Sequence, residues 1–243
     1  MSEFPTTLDR AIAQAKEATQ NALNDGFGRI QVDLAIPEIA LQAQAIALQF
    51  TTLFESYGSG LKVFFPDTGA AALARRDWEE TNFKIGDLGS SRKPIETKIA
   101  EDDRIFIVVS PSSVEVNQLE KLCNFAEDRP VIILIPQLES VATVGIGYAA
   151  RQLRERFLST IQTAYYLKPF EGGAILRFYP SQWQVWQETQ EDEYKIIGEY
   201  PQKPTGELLE QIFNPTAETS SGKMPKKAGF LSNLQQIFRA LNQ

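Results

Sequence analysis

The chain contains no histidine, and that absence removes several chemistries at once. Ser-His-Asp and Cys-His nucleophilic catalysis, HExxH zinc sites and imidazole general bases all need a side chain it lacks. A single cysteine, Cys123, excludes an intrachain disulfide and a thiolate zinc cluster. A reducing compartment fits that usage. Long hydrophobic runs are missing too. The longest clean apolar stretches are Ile105–Val109 and Val131–Ile135, far short of the about 20 residues of a bilayer-spanning helix. Met1–Arg10 is polar and lacks the apolar core of a secretory signal. The expected location is therefore cytoplasmic, with peripheral membrane contact at most. Basic charge is also scarce: 24 Lys and Arg stand against 31 Asp and Glu, a formal net charge of −7. Nucleic acid is not an expected partner, because it needs a concentrated basic surface.

Neither GxGxxG nor GxxxxGK[ST] occurs, so dinucleotide and P-loop sites have no motif support. Gly145-Ile146-Gly147 is a fragment of such a loop and reads as a turn. The acidic residues Glu188, Glu191, Asp192 and Glu193 lack EF-hand spacing and read as a solvated turn. No cofactor and no metal site are expected.

What is present is an ordinary globular composition, 43% hydrophobic and 23% charged over 243 residues. Apolar residues at helical spacing predict a helix over Leu8–Leu23, capped by Thr6 or Thr7 and stopped at Asp25-Gly26. Arg29–Leu34 alternates Ile30, Val32 and Leu34 with Gln31 and Asp33, a half-buried strand. Pro37 then opens one long helix to about Tyr57. Leu61–Phe65, Arg104–Val109 and Pro130–Ile135 are nearly all apolar. Such runs are covered on both faces, as in the interior of a parallel sheet. Helices over Ala70–Trp78 and Val114–Ala126 are expected as right-handed crossovers. Phe83–Leu88 is a weaker strand, and Tyr148–Leu158 a helix. After Thr160 the pattern changes to four short strands with turn residues between them, Ala164–Leu167, Ala174–Phe178, Gln182–Gln187 and Tyr194–Glu199. A helix over Thr205–Phe213 follows. The expected fold class is α/β: a mostly parallel sheet with helices on both faces, extended by an antiparallel meander in the C-terminal third. The domain reading is an α/β body over residues 1–213, a linker over 214–228 and an amphipathic C-terminal helix over 229–243.

Four sequence blocks carry a family resemblance. They are Phe65-Pro66-Asp67-Thr68-Gly69-Ala70-Ala71-Ala72-Leu73-Ala74-Arg75-Arg76-Asp77-Trp78, Arg129-Pro130-Val131-Ile132-Ile133-Leu134, Arg151-Gln152-Leu153-Arg154-Glu155-Arg156-Phe157, and Tyr179-Pro180 followed by Trp183-Gln184-Val185. Over roughly residues 4–215 the chain resembles an uncharacterised domain of cyanobacteria and chloroplasts. That family includes the plant low-photosystem-II-accumulation factor, which helps an antenna subunit into photosystem II, and it also occurs fused to a plastid adenylate kinase. The resemblance implies a photosynthetic setting and a thylakoid context. It implies no reaction, because the family brings no established catalytic residues.

The strongest small-ligand candidate is Asp67-Thr68-Gly69, between an apolar strand and a helix, where backbone N–H groups can face an anion. Ser110, Ser112 and Ser113 follow another buried strand in the same way. Ligands of open α/β sheets sit beyond the carboxyl ends of strands, so the two turns are candidates to line one crevice. The alternative is that Asp67, Thr68 and Ser113 only cap helices. Arg151, Arg154 and Arg156 share a helix, and Arg151 is one turn from Glu155, which suits a solvated, ion-paired face. Cys123 falls at core spacing with Leu119, Leu122 and Ala126, a buried thiol. Trp183 and Val185 fall on one side of their strand and Trp186 on the other, with one side read as core and the other as an exposed aromatic patch.

The charge is unevenly divided. Residues 223–243 hold Lys223, Lys226, Lys227 and Arg239 and no acid, a charge of +4, so residues 1–222 carry −11 of the net −7. Phe230, Leu231, Leu234, Ile237, Phe238 and Leu241 fall within an arc of about 120° on a helix. A helix this short is marginal alone and has to dock. Its own domain, a partner's groove and a lipid surface are the three possible hosts. The expected function is non-enzymatic: an auxiliary factor in assembly or maintenance of photosystem complexes, binding a protein client or the thylakoid surface through Lys223, Lys226, Lys227 and that apolar face. The alternative is a small-molecule or phosphate-binding protein, or an enzyme, that uses Asp67–Gly69 and Ser110–Ser113.

Overall fold

The computed structural model describes residues 3–89, 94–138, 148–190 and 193–213. The expected linker and C-terminal helix, Gly145-Ile146-Gly147, and Glu191 and Asp192 lie outside the described residues.

The first helix, α1, spans Leu8–Asn24, and Thr7 caps it by accepting from the Arg10 N–H. Its buried stripe is Leu8, Ala11, Ile12, Ala15, Ala18 and Ala22, small enough to let the helix lie close to a sheet. Strand β1 is Arg29–Leu34. The long helix expected from Pro37 is broken into three pieces: a 3-10 turn at Ile39–Gln42, helix α2 at Ala43–Thr51, and a second 3-10 stretch at Thr52–Gly60. Two local causes explain the breaks. Glu38 is left-handed, with φ +62°, so the helix cannot start at Pro37. At the other end the Thr51 and Thr52 hydroxyls donate back to the Leu48 and Gln49 carbonyls, a side-chain bond that competes with the helical ladder.

Strand β2 (Leu61–Phe65), helix α3 (Thr68–Asp77), strand β3 (Lys84–Asp87), strand β4 (Ile105–Val109), helix α4 (Val116–Phe125) and strand β5 (Val131–Leu134) follow. Helix α5 covers Tyr148–Arg156. Strands β6 (Gln162–Phe170), β7 (Gly173–Phe178), β8 (Trp183–Gln190) and β9 (Glu193–Tyr200) lead to helix α6 (Gly206–Phe213). All nine strands form one sheet in the order β3-β2-β4-β5-β1-β6-β7-β8-β9. From β3 to β6 every pairing is parallel, and from β6 to β9 every pairing is antiparallel. β6 is thus a seam: one edge continues the parallel sheet and the other begins the meander.

The interior strands are buried on both faces, as their composition demands. β4 and β5 are buried at every position. On one face Ile30, Val32, Val63, Ile107 and Ile132 pack under α1, α2 and α3. On the other Phe64, Phe106, Val108 and Ile133 pack under α4 and α5. α3 carries the chain from β2 outward to β3, and α4 carries it from β4 the opposite way to β5. Opposite directions on opposite faces give both crossovers the same hand, as the strong right-handed rule for parallel connections requires.

Two expectations are corrected here. The alternation in Arg29–Leu34 predicts a half-buried strand, yet β1 lies between β5 and β6, and Asp33 is only 4% exposed. The exposed aromatic patch on β8 is not formed. Trp186 is buried against Phe4, its indole N–H donating to Gln184 Oε1, while Trp183 is half-buried against Tyr166.

At the amino end of the sheet, a charged cluster fills the interior side of β2, β3 and β4. Asp103 is fully buried and pairs with Lys84 at 2.8 Å and Lys62 at 3.6 Å, while its second oxygen accepts the Ala100 N–H. Lys84 also bonds Asp102 at 2.7 Å, which holds the Lys84 ammonium above its usual range and the Asp102 carboxyl below. Arg129 donates to the carbonyls of Phe125, Ala126 and Ala100 and lies over the Phe106 ring. It thereby satisfies the end of α4, whose last carbonyls have no helical partner.

Glu79 and Glu127 follow the C-caps of α3 and α4 and are left-handed at φ +52° and +53°, the position where glycine is normally found. Both are exposed. The left-handed penalty of about 1–2 kcal/mol for an L residue exceeds the extra unfolded-state freedom of glycine, about 0.4–1 kcal/mol. Glu79→Gly and Glu127→Gly are therefore each expected to stabilise the protein by about 0.5 kcal/mol, measured by urea denaturation. A lowered midpoint in both variants would contradict the assignment of these backbone strains.

Candidate functional site

Parallel strands all present their carboxyl ends on the same side, so the loops that follow them share one edge of the sheet. Whether a cleft opens there depends on which way the loops leave. After β1 the chain crosses to the α2 face. After β4 and β5 it crosses to the α4 and α5 face. β1 and β5 are hydrogen-bonded neighbours, so their loops part directly above the sheet. This is a topological switch point, the place where open α/β sheets bind ligands.

The switch point holds a cleft of about 450 Å³, within the usual range of small-molecule sites. Asp33–Ile36 from the end of β1 and Ile135–Gln137 from the end of β5 form its floor, Glu38–Ala40 form one wall, and Ser112 and Ser113 form the other. Backbone strain shapes it. Glu38, Ile135 and Ser110 all have positive φ, +62°, +49° and +45°. For a β-branched residue such as Ile135 this is a true outlier, and such strain collects at functional sites. The left-handed turns at Ser110 and Ile135 follow the last ladder bonds: the Ser110 N–H donates to Leu134 O and the Ile135 N–H to Val32 O, each at 2.8 Å. The two loops then stay joined, since the Gln137 N–H donates to Pro111 O at 2.8 Å beside a short parallel bridge between Ser112 and Gln137.

Of the six candidate ligand residues, the cleft brings together only Ser112 and Ser113. Ser112 is also tied into the turn before α4: its hydroxyl donates to Glu115 Oε2 at 2.7 Å and accepts from the Val114 N–H, and its own N–H donates to the same carboxylate. These bonds close the turn that leads to Glu115, the residue before α4. Asp67, Thr68, Gly69 and Ser110 do not line the cleft. Asp67 caps α3 by accepting from the Ala70 N–H at 2.9 Å, and Thr68 and Gly69 are exposed in its first turn. The separation is a matter of strand order. Asp67 follows β2, while the cleft opens between β5 and β1, at least two strand spacings of about 4.8 Å away. The Ser110 hydroxyl is buried and meets no hydrogen-bond partner among the described residues.

Asp33, Glu38 and Gln137 are the cleft residues that pattern reading missed. Asp33 carried a signal, a carboxylate at the end of an apolar strand. Alternation with Val32 and Leu34 predicts a half-buried strand, and it says nothing of what covers the second face.

The remaining candidates have structural places. Cys123 is buried, and burial pushes its thiol up to about 12. Arg156 makes a two-point pair with Glu120 of α4, at 2.7 and 2.9 Å, so α5 is pinned to α4. Lys223, Lys226, Lys227, Phe230, Leu231, Leu234, Ile237, Phe238 and Leu241 lie outside the described residues. Among the described residues no helix is long and apolar enough to cross a membrane.

The chain belongs to a family known as a domain of unknown function, DUF1995, whose model matches residues 5–211. The matched region includes every strand of the sheet, both walls of the cleft and all but the end of α6.

If Asp67 acts as a cap, Asp67→Ala lowers stability by about 1 kcal/mol, read from the denaturation midpoint. An unchanged midpoint would return Asp67 to the list of ligand residues. Cys123 is expected to be silent toward a thiol reagent in the folded protein and to react fully once urea unfolds it. Its raised value also fixes a sign. The folded state keeps the proton longer than the unfolded chain, so this contribution to stability is intact below the ordinary thiol value of 9.0 and falls away as pH rises toward about 12. Stability that stays flat from pH 8 to 11 would contradict it.

Proposed function

We propose that this chain is a non-enzymatic auxiliary factor for photosystem complexes, photosystem II in particular, acting in a cyanobacterial or chloroplast setting on a protein client or at the thylakoid surface. The photosynthetic setting rests on the resemblance of the four sequence blocks. Arg129, Trp183 and Asp67 in those blocks are spent on holding the fold, so the blocks mark a shared scaffold and no shared reaction.

The charge division of the chain carries the binding part of the proposal. Residues 223–243 hold +4 and the rest −11, so one end of an acidic protein is basic and apolar together. That combination suits an anionic bilayer or an acidic client surface. Near an anionic leaflet each lysine adds about 1 kcal/mol, so contact through three lysines and one apolar face is reversible, as an auxiliary factor needs. Immediately before that segment α6 is anchored to the sheet through Phe213, edge-on to Phe170 with ring centres 5.1 Å apart.

The test uses the full chain and a Phe230→Asp/Phe238→Asp variant, each tagged and incubated with detergent-solubilised thylakoids. Retention of photosystem II subunits by the wild type and loss by the variant is the expected result. Flotation with anionic liposomes in parallel separates lipid from protein contact. Absence of photosystem subunits from the wild-type eluate, together with no flotation, would overturn the proposal.

A further inference from the structure

The meander carries hydrogen-bond donors that the described residues leave unanswered. Its register sets three side chains in one row, Tyr166 opposite Arg177 and Arg177 opposite Trp183. Residues directly opposite share a face of the sheet. Leu176 and Phe178, on either side of Arg177, pack into the core under α1, so the row lies on the other face. Arg177 is half-buried, and its guanidinium lies over the Tyr179 ring, 5.7 Å from the centre. Among the described residues no carbonyl or carboxylate accepts from it. Trp183 is half-buried against Tyr166, ring centres 5.3 Å apart, and its indole N–H likewise has no acceptor there. The indole N–H of its neighbour Trp186, by contrast, donates to Gln184.

Guanidinium and indole N–H only donate, so the row calls for an acceptor. The acids beside it are committed elsewhere. Asp25 accepts from the Tyr179 hydroxyl at 2.6 Å, and Glu199 accepts from Gln184 at 3.0 Å. Burial pushes the Arg177 guanidinium below its usual range, whereas carboxylates hold Arg156 and Lys84 above theirs. Arg177 thus lacks the counter-charge that the other two possess. Its surroundings are apolar: the rings of Tyr166, Trp183 and Tyr179, then Phe27, edge-on to Tyr179 and 36% exposed.

We infer that Arg177 anchors a single carboxylate of a partner protein, an Asp or Glu side chain set between apolar residues. A carboxylate matches the guanidinium fork with two parallel hydrogen bonds. One guanidinium supplies one charge, and residues 1–222 carry −11, so the field of the chain opposes a doubly charged phosphate or an acidic run. Arg, Trp and Tyr are also the residue types that dominate binding energy at protein interfaces. This contact is separate from residues 214–243, and its failure leaves the reading of that segment standing.

The probe is the blocked peptide acetyl-Ser-Phe-Glu-Phe-Ser-amide, titrated into the ¹⁵N-labelled full-length protein. The readout is the NMR signal of the Trp183 indole N–H, identified by its loss in Trp183→Phe. A saturable shift is expected. The same peptide with Gln in place of Glu should bind about tenfold more weakly, the worth of a charge-assisted pair. Arg177→Gln, its fold checked by circular dichroism, should bind both peptides equally. Arg177→Lys, which keeps the charge and loses the fork, should fall between. Arg151→Gln, at an exposed arginine of α5, should change nothing. No saturable shift with the Glu peptide would overturn the inference. So would equal binding of the two peptides by the wild type, or a preference for Glu that survives in Arg177→Gln. Benzoate and inorganic phosphate are titrated alongside, and tighter binding of either than of the Glu peptide would overturn the assignment to a protein partner.

Discussion

The need to cover both faces of the interior parallel strands governs this structure. β2, β4 and β5 are too apolar to leave either side in water, β1 is enclosed between β5 and β6 although its second face carries Gln31 and Asp33, and parallel neighbours cannot be joined by a tight turn. The chain has to leave each strand, pass over one face and return. It covers one face with α2 and α3 and the other with α4 and α5, and it must change faces to do so. Where a strand bound for one face lies beside a strand bound for the other, the loops diverge. The cleft between β1 and β5 follows from that covering requirement and from the order of the strands.

The two ends of the sheet are built differently. At the amino end Asp103, Lys62, Lys84 and Arg129 tie the strands and the helix ends together by ion pairs and carbonyl bonds. A buried carboxylate such as Asp103 survives there because its two oxygens are both occupied, one by lysine and one by a backbone N–H. At the carboxyl end the chain spends left-handed backbone at Ser110, Ile135 and Glu38 to turn away from the sheet. One end is closed and the other is held open. A small-molecule site between the parallel strands is therefore expected at the second end, on a rigid floor provided by the first.

The meander is not an appendage. β6 pairs with β1 on one edge and β7 on the other, and α1, at the start of the chain, lies across β1, β6 and β7. Phe4 packs on Trp186 and stacks on Tyr194, and Tyr165 of β6 donates its hydroxyl to Gln14 of α1. The first residues of the chain thus complete the core of its last strands. The antiparallel strands thus extend the parallel sheet and share the core that lies under α1.

The sequence alone determined the type of nearly every element. Periodicity marked α1, α4 and the apolar strands, because a buried stripe or a doubly buried run leaves a pattern no loop shows. Local chemistry offered Thr6 or Thr7 as the cap of α1 and capping as one of two readings of Asp67, and the structure chooses Thr7 and the cap. It failed at the long helix after Pro37, where a left-handed Glu38 and back-bonding threonines break an otherwise helical composition. It failed at Asp33, and at β8, where alternation predicts one exposed aromatic side and both Val185 and Trp186 are buried. Tertiary structure decided the rest. β2 and β4 are neighbours, yet Asp67 leads into α3 on one face and the serine turn into α4 on the other, and strand order set Asp33 and Glu38 beside Ser112 and Ser113. Side-chain pattern records which residues are covered and carries no record of by what. The two strands that meet at the cleft, β1 and β5, pair residues about a hundred positions apart, as Arg29 does with Val131, so the site became visible only when the order of the strands was known.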